Sequence, residues 1–275
     1  MPRWSQWLLP AVIAISIPLL VGLSGCREGD GNSLFGIGQK SEIQIGRQAS
    51  ADLERQYGVV NNPSQLARIR RIGSSIAAVS QRRNLPWSFK ILNMSDVNAM
   101  ALPGGFVYVT RGLLATNLTD SELAGVMAHE IAHVNQRHTV KAIQRAMTYE
   151  LLAGLLFGGS SAAIQTAAGL AIQYALELPH SRSDEYEADA IGIRLAYNAG
   201  YPADGLVQFL RVLQSMTGRQ RTPEWLQTHP LTSARIARAQ QIANQISGKP
   251  RPVPLALSTE DQKILKQIKD QEKKR

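Results

Sequence analysis

The chain has 275 residues, 44% of them hydrophobic, which is enough for one good-sized domain or two small ones with a proper core. Its single cysteine excludes an intrachain disulfide. The net charge of +9 does not indicate a nucleic-acid partner, because the sequence has no basic motif interleaved with aromatic residues.

The N-terminus predicts export and attachment to a membrane. Residues 1–25 have the pattern of a signal peptide, with Arg3 before the apolar run LLPAVIAISIPLLVGL. The following Cys26 completes LSGC, which resembles the lipobox of bacterial lipoproteins, in which the cysteine carries the lipid. The alternative is an uncleaved membrane anchor with an incidental cysteine. Arg27 favours the outer membrane, because an aspartate there is the signal for retention in the inner membrane.

The next segments predict a tether, two helices and a small sheet. Residues 26–40 are rich in glycine and polar side chains. Apolar residues recur at helical spacing over 41–57 and 63–83. The sequence WSFKILN (87–93) alternates like a β-strand, and a Pro-Gly-Gly turn precedes a second β-prone segment at 106–110.

Residues 117–147, NLTDSELAGVMAHEIAHVNQRHTVKAIQRAM, have the strongest helical pattern of the chain. Thr119 and Glu122 form a capping box at the start of this helix. His129 and His133 are four residues apart, which places them on one helix face about 6 Å apart. Two imidazoles in this arrangement can bind one metal ion.

The two histidines belong to an HExxH sequence, which also contains the carboxylate of Glu130. Glu130 is rotated about 100° from His129 around the helix, so it can reach a water on the metal more easily than the metal itself. Zinc lowers the pKa of such a water to about 7, and Glu130 can pass the proton to a leaving amine. The alternative is two helix histidines that bind no metal.

A catalytic zinc needs a third protein ligand. The metzincin pattern HExxHxxGxxH is excluded, because His138 is one residue away from its histidine position. Residues 181–192, SRSDEYEADAIG, offer Glu185 as the ligand, and Asp189 one turn later can accept a hydrogen bond from a ligand histidine. We expect Glu187 to face solvent. The alternative for this segment is an ordinary acidic helix surface.

Four motifs in order carry a family resemblance over about residues 40–248. They are NAMALPGGFVYVTRGLL, AHEIAHVNQRH, SRSDEYEAD and THPLTSARIA. Together they resemble the zinc metallopeptidases related to HtpX and the CAAX prenyl proteases. The chain is most similar to a minimal lipoprotein branch that resembles the β-barrel assembly-enhancing proteases without their tetratricopeptide repeats. The resemblance implies an α+β, mainly helical zincin-type fold with a small β-sheet beside the HExxH helix.

The resemblance also implies the roles of several residues around one zinc ion per chain. The implied zinc ligands are His129, His133 and Glu185. Glu130 is the implied base, and Asp189 is the carboxylate implied to support a ligand histidine. It implies that His229 lies near the metal, where it stabilises the oxyanion or caps the zinc in a resting state. Arg235 would hold this region in place. The alternative for His229 is a surface turn before Pro230.

The segment 151–176 contains no charged residue and is long enough for a membrane span. A crossing here would place Glu185 and the HExxH histidines on opposite sides of the bilayer. We therefore expect two helices, separated near Gly158, that pack on or over the site. Further helices are predicted at 183–198, 203–216 and 231–246.

The sequence KPRPVP indicates where the compact domain ends. The expected organisation is a signal peptide, a tether, a metallopeptidase domain and a basic, flexible tail, at 1–25, 26–40, 41–248 and 249–275.

The substrate is expected to be an extended or unfolded polypeptide. Peptidases commonly hold the substrate as an added strand at a sheet edge, because backbone hydrogen bonds accept many sequences. Glycine allows close approach of another backbone. The expected substrate-binding strand consists of Gly105, Phe106, Val107, Tyr108 and Val109.

The expected function is that of a zinc endopeptidase on the periplasmic side of the bacterial envelope, held by a lipid on Cys26. The resemblance points to unfolded or misassembled envelope proteins as substrates and to the envelope assembly machinery as a partner. The alternative is a periplasmic chaperone or assembly factor that keeps the fold but seldom cleaves.

Overall fold

The computed structural model describes residues 36–157, 160–217 and 223–274. The signal peptide, Cys26 and most of the tether lie outside these residues. The described helices are α1 Gln39–Tyr57, α2 Pro63–Ala78, α3 Arg111–Leu114, α4 Asp120–Gln136, α5 His138–Ala146, α6 Tyr149–Phe157, α7 Ser161–Leu176, α8 Arg182–Asn198, α9 Gly205–Met216, α10 Trp225–Thr228, α11 Ser233–Ile246 and α12 Thr259–Glu272. The described strands are β1 Ser88–Leu92, β2 Ala99–Leu102 and β3 Phe106–Thr110. The α+β, mainly helical class is confirmed.

Polar side chains set the start of several helices. Each accepts a hydrogen bond from the backbone N–H three residues later, which satisfies a donor that has no partner within the helix. For α4 the predicted capping box is present, with the Glu122 side chain returning a bond to the backbone of Thr119. The residues that cap helices in this way include Asn62, Thr119, Ser181, Thr232 and Ser258.

The sheet has the order β1-β3-β2, with β3 parallel to β1 and antiparallel to β2. The turn between β2 and β3 contains Gly104 and Gly105, which both have positive φ. The strand expected at the sheet edge, Gly105 to Val109, is therefore central. Both of its sides are already paired, so it cannot accept a substrate strand. The local pattern predicted the strand but contained no information on strand order.

Side chains of β3 alternate between two hydrophobic clusters. Val107 and Val109 face the cluster that contains α2, α4, α8 and α9, whereas Tyr108 faces the cluster formed with α1, α5 and α7. The sheet therefore joins two parts of one core, and the helix with the HExxH sequence lies in the larger part.

Helix α4 lies at the centre of the larger cluster. Every residue from Leu123 to Asn135 is buried, and α2, α8 and α9 pack around it. The predicted helix over 117–147 is interrupted, because Arg137 adopts a left-handed conformation with φ of 58°. The chain turns there, and the separate helix α5 begins at His138.

Helices α4 and α8 approach each other closely. A Cβ atom at Gly192 on α8 would lie 3.0 Å from the backbone N and Cα atoms of His129. A larger residue would hinder this approach. Glu185 and Asp189 precede Gly192 on α8 by about two turns and one turn, so they lie over the histidine-bearing face of α4.

Of the apolar segment 151–176, residues 151–157 lie in α6 and residues 161–176 lie in α7, so the described part forms the two helices that were expected. No single helix among the described residues is long and apolar enough to cross a membrane. Helices α6 and α7 meet that test of length and composition only together, and they bend by 111° at their junction. Helix α7 packs on α1 and also contacts β2 and α10.

The C-terminal segment differs from the flexible tail expected from the sequence, because α12 packs on α8. Leu265 and Ile268 bury their side chains with Tyr186 of α8. The carboxylate of Glu272 accepts hydrogen bonds from the backbone N–H and hydroxyl of Ser183 near the start of α8. The sequence of this segment is rich in lysine, but the apolar residues between the lysines lie on one face of α12, and this face packs on α8.

Asp261 is the main polar anchor of α12. It accepts hydrogen bonds from Ser258 and from the hydroxyl of Tyr186, and it pairs with the buried Arg194 at 2.5 Å. Burial alone would raise the pKa of Asp261, but the Ser258 hydrogen bonds and the charge of Arg194 outweigh it and lower the pKa. Asp261 is therefore ionised at neutral pH and fixes α12 to α8.

Replacing Asp261 by alanine is expected to lower the free energy of unfolding by about 3–5 kcal/mol, because Arg194 would remain buried without its charged partner. Urea unfolding of the purified protein measures this difference. Asp270 is exposed on the same helix, and Asp270→Ala should change the free energy by less than about 0.5 kcal/mol. Equal values for the two variants would contradict the anchoring role.

Candidate metal centre

All five histidines of the chain lie in one group. His133 is at its centre, with ring centroids of the other four between 4.2 and 5.3 Å away. The sequence places three of them close together, and the fold adds His180 and His229. Such a concentration in a chain with few histidines indicates one shared site.

The predicted trio of ligands converges. Helix α4 places the Nε2 atoms of His129 and His133 3.0 Å apart. Helix α8 places Glu185 beside them, with one carboxylate oxygen 3.3 Å from the Nε2 atom of His133 and the other 3.6 Å from that of His129. The three side chains are buried. The alternative of an ordinary acidic helix surface therefore does not hold for Glu185.

His229 joins this trio as a fourth donor. Its Nδ1 atom lies 2.9 Å from Glu185 and 3.3 Å from the Nε2 atom of His129. One ligand atom from each of His129, His133, Glu185 and His229 can be chosen so that all four lie within 4.8 Å of one another. His229 is 2% exposed, so it does not lie in a surface turn.

The donor set fits a zinc ion. Two atoms bound to one tetrahedral zinc at about 2.0–2.1 Å are about 3.3–3.4 Å apart, and the contacts between these ligand atoms lie close to that value. Burial lowers the pKa of His133 well below its usual value, so the imidazole is neutral. Burial opposes the charge of Glu185, but Arg235 and His229 outweigh it and lower its pKa. Neutral imidazole and ionised carboxylate are the forms that bind metal.

Asp189 and Arg235 lie behind the ligands. Asp189 is 2.9 Å from the Nδ1 atom of His129, on the ring edge away from the other ligands. Arg235 donates two hydrogen bonds to Asp189, at 2.7 and 2.8 Å, and lies 2.5 Å from Glu185. Burial would raise the pKa of Asp189, but Arg235 outweighs it and lowers the pKa. The structure therefore places both residues where the sequence expected them.

Glu130 lies beside the ligand group and is 2% exposed. It accepts a hydrogen bond of 3.3 Å from the indole N–H of Trp225 and lies 3.5 Å from His229. Burial raises the pKa of Glu130, and the nearby His229 and His129 oppose this only in part. A raised pKa suits a carboxylate that must accept and return a proton.

Sequence reasoning missed three residues of the centre: His138, His180 and Trp225. Trp225 is buried, and its ring stacks on His229 with the centroids 4.4 Å apart. Desolvation, together with the charge of His229, lowers the pKa of His180 to about 3. The scarcity of histidine was the signal that could have identified His138 and His180. For Trp225, the available signal was its position four residues before His229.

Two small pockets adjoin the centre. One runs past Glu185 and is lined by His180, Arg182, Glu185, Tyr186, Pro230, Thr232, Arg235 and Arg238. The other lies between the end of β2 and the end of α4, where Ala101, Leu102 and Pro103 approach His133. The second pocket holds only about 10 Å³, and it adjoins the end of the outer strand β2.

A family model described as peptidase family M48 matches residues 63–243. A putative β-barrel assembly-enhancing protease of Vibrio cholerae is 34% identical over 206 residues, which is 70% of this chain and 42% of that protein. The β-barrel assembly-enhancing protease of Escherichia coli K12 is 31% identical over 227 residues, 78% of this chain and 46% of that protein.

A mitochondrial protein also matches. The metalloendopeptidase OMA1 of Bos taurus is 31% identical over 157 residues, which is 52% of this chain and 30% of that protein. The chain thus spans less than half the length of each of these three relatives. The resemblance predicted from the four sequence motifs is confirmed.

Replacing Asp189 by alanine is expected to weaken zinc binding by about 10–100-fold, because His129 loses the carboxylate that orients its ring. Competition with a chromophoric chelator measures the affinity. Glu177 is exposed just before α8, and Glu177→Ala is the matched control, with unchanged affinity. If Asp189→Ala bound zinc as tightly as Glu177→Ala, the orienting role would be wrong.

Proposed function

The chain belongs to peptidase family M48, and from this premise we propose that it is a zinc-dependent endopeptidase that cleaves unfolded or misassembled proteins of the bacterial envelope. Peptidases of this family use zinc. The observation that carries the proposal is the buried convergence of His129, His133 and Glu185 beside Glu130. The function follows from these side chains together, because HExxH alone supplies only two ligands.

Three side chains would hold the zinc: His129, His133 and Glu185. When bound, the zinc supplies Lewis-acid activation of a water and of the scissile carbonyl. Glu130 is proposed to accept the proton of the attacking water and to return it to the leaving nitrogen. The Trp225 indole and His229 flank Glu130 and restrict its orientation. Arg235 keeps Glu185 and Asp189 ionised.

His229 is proposed to cap the centre in a resting state. A catalytic zinc site keeps one position open beside three protein ligands. The Nδ1 atom of His229 lies within the ligand group, so this side chain would close the open position. Of the two roles implied by the sequence, capping therefore agrees better with the geometry. Movement of α10 and the residues after it would be required before a substrate could enter.

The substrate is proposed to lie along β2 instead of the central strand β3. The support is that β2 is an outer strand of the sheet and that it ends at the small pocket beside His133. Helix α7 packs against β2 and also contacts α10, which precedes His229. One helix therefore contacts both the proposed substrate strand and the segment of the capping histidine. A substrate added at this edge of the sheet would have to be an extended polypeptide.

The cellular setting is also a proposal. A lipid on Cys26 would hold the enzyme at the periplasmic face of a membrane, with the outer membrane favoured. The support is the signal-peptide and lipobox pattern of the sequence, together with relatives whose names refer to β-barrel assembly. The envelope assembly machinery is the proposed partner. A chaperone that seldom cleaves is the second candidate, but the complete ligand set and the buried Glu130 favour proteolysis.

The Glu130→Gln variant tests the proposed chemistry. It should keep its zinc but cleave an unfolded protein such as casein about 10²–10⁴-fold more slowly than the unchanged protein, because the amide cannot accept the proton. The measurement is the cleavage rate at equal zinc content. Equal cleavage by the two proteins would rule out Glu130 as the base.

The His229→Ala variant tests the resting state. If His229 caps the centre, its removal should raise the rate of casein cleavage, because the fourth position becomes open. A role in stabilising the oxyanion would instead lower the rate by about 10²–10³-fold. The comparison uses the same zinc-loaded preparations, with His229→Ala and Glu130→Gln combined as the inactive control. A fall in rate on removing His229 would refute the capping role.

A further inference from the structure

His138 lies directly behind His133, on the ring edge away from the other ligand atoms. The Nδ1 atoms of the two rings are 2.9 Å apart, and the rings meet edge to face with centroids 4.9 Å apart. His138 is 2% exposed. The proposed chemistry does not use this residue, which is not among the proposed zinc ligands and lines neither pocket.

The left-handed turn at Arg137 brings His138 to this position. In a continuous helix, a residue five positions after His133 would be rotated by about 140° from it and would face elsewhere. Arg137 instead has φ of 58° and ψ of 34° and ends α4, so the chain folds back at His138. The Arg137 side chain is fixed by the buried Glu42 at 3.0 Å and by the carbonyl of Ile37.

The other nitrogen of His138 faces two carboxylates of α8. Its Nε2 atom is 3.4 Å from Asp184 and 3.5 Å from Glu187. Glu187 was expected to face solvent, but its side chain is only 16% exposed. A line of contacts therefore runs from the carboxylates of α8 through His138 to the ring of His133.

The protons along this line have one consistent arrangement. Since the Nε2 atom of His133 must present a lone pair to a metal, its Nδ1 atom carries the hydrogen. That N–H can donate only if the Nδ1 atom of His138 accepts. The Nε2 atom of His138 then carries a hydrogen and donates to Asp184 or Glu187.

We propose that His138 is a positioning residue that holds His133 in the tautomer and orientation required for zinc binding, with Asp184 and Glu187 as its anchor. The inference rests on the proposed zinc site. The two ligand histidines then differ in their support: His129 contacts the carboxylate of Asp189 directly, whereas His133 is supported through a second imidazole. Asp184 and Glu187, the carboxylates that contact His138, lie on α8, the helix that also carries Glu185.

The test is the zinc affinity of the purified full chain, measured by competition with a chromophoric chelator at one pH. His138→Phe keeps the ring shape but removes the acceptor, and it should weaken zinc binding by about 10–100-fold. His138→Asn places an oxygen near the former Nδ1 atom, and it should recover most of the affinity. Arg145→Ala, at an exposed position of the same helix, is the control with unchanged affinity.

A second variant tests the anchor at less buried positions, in case the first one folds poorly. Asp184→Asn combined with Glu187→Gln should also weaken zinc binding while the far-ultraviolet circular dichroism of the zinc-free protein stays unchanged. Unchanged affinity in His138→Phe would overturn the inference. Equal losses in His138→Phe and His138→Asn would also overturn it, because ring shape and not the acceptor would then be the cause.

A failure of the proposed zinc site can be distinguished from a failure of this inference. If the unchanged protein bound zinc no better than His129→Ala, the zinc site itself would be wrong and this inference would fall with it. If the unchanged protein bound zinc and lost it in His129→Ala, but all His138 variants kept it, only the positioning role would be rejected.

Discussion

The close contact between α4 and α8 is the constraint on which the centre depends. Neither helix has a complete site, because α4 carries two imidazoles and Glu130 while α8 carries Glu185 and Asp189. Gly192 allows the two backbones to approach closely, so that the side chains of α4 contact those of α8. Burial of both helices then removes competing water, which strengthens every interaction between the charged groups.

Charge balance is the second condition. Glu185 and Asp189 are buried close together, and two carboxylates in such a place would favour protonation unless a cation were present. Arg235 from α11 contacts both of them. It also lies 5.0 Å from the ring of Trp225, which stacks on His229. A single guanidinium therefore links the charge of the centre to the position of the segment that carries His229.

The sequence predicts the residues whose roles depend on helical spacing. His129, His133, Glu185 and Asp189 each have a partner four positions away, and a helix turns that spacing into a shared face. Trp225, although four positions before His229, was not recognised, because a single tryptophan has no metal chemistry to draw attention to it. Helices α1, α2, α8, α9 and α11 and the two-helix form of 151–176 also follow from local pattern.

Other features depend on contacts that no local pattern contains. The order of the strands places β2 outside β3, and it is fixed by how the sheet packs between two hydrophobic clusters. The position of His138 depends on one left-handed residue, Arg137, which is neither glycine nor asparagine and so carries no usual turn signal. The docking of α12 depends on Asp261 meeting Arg194 across 67 residues of sequence.

The docking of α12 on α8 has a consequence for the order of events during synthesis. Of the parts of the centre, the HExxH helix is synthesised first, and Glu185 follows about fifty residues later. His229 lies 100 residues after His129, and Glu272, which contacts α8, is synthesised after both. The complete arrangement can form only after residue 272 has left the ribosome. Until then the ligand residues of the centre lie on segments of the growing chain that have not all met their partners, so the centre is assembled late although its first helix is synthesised early.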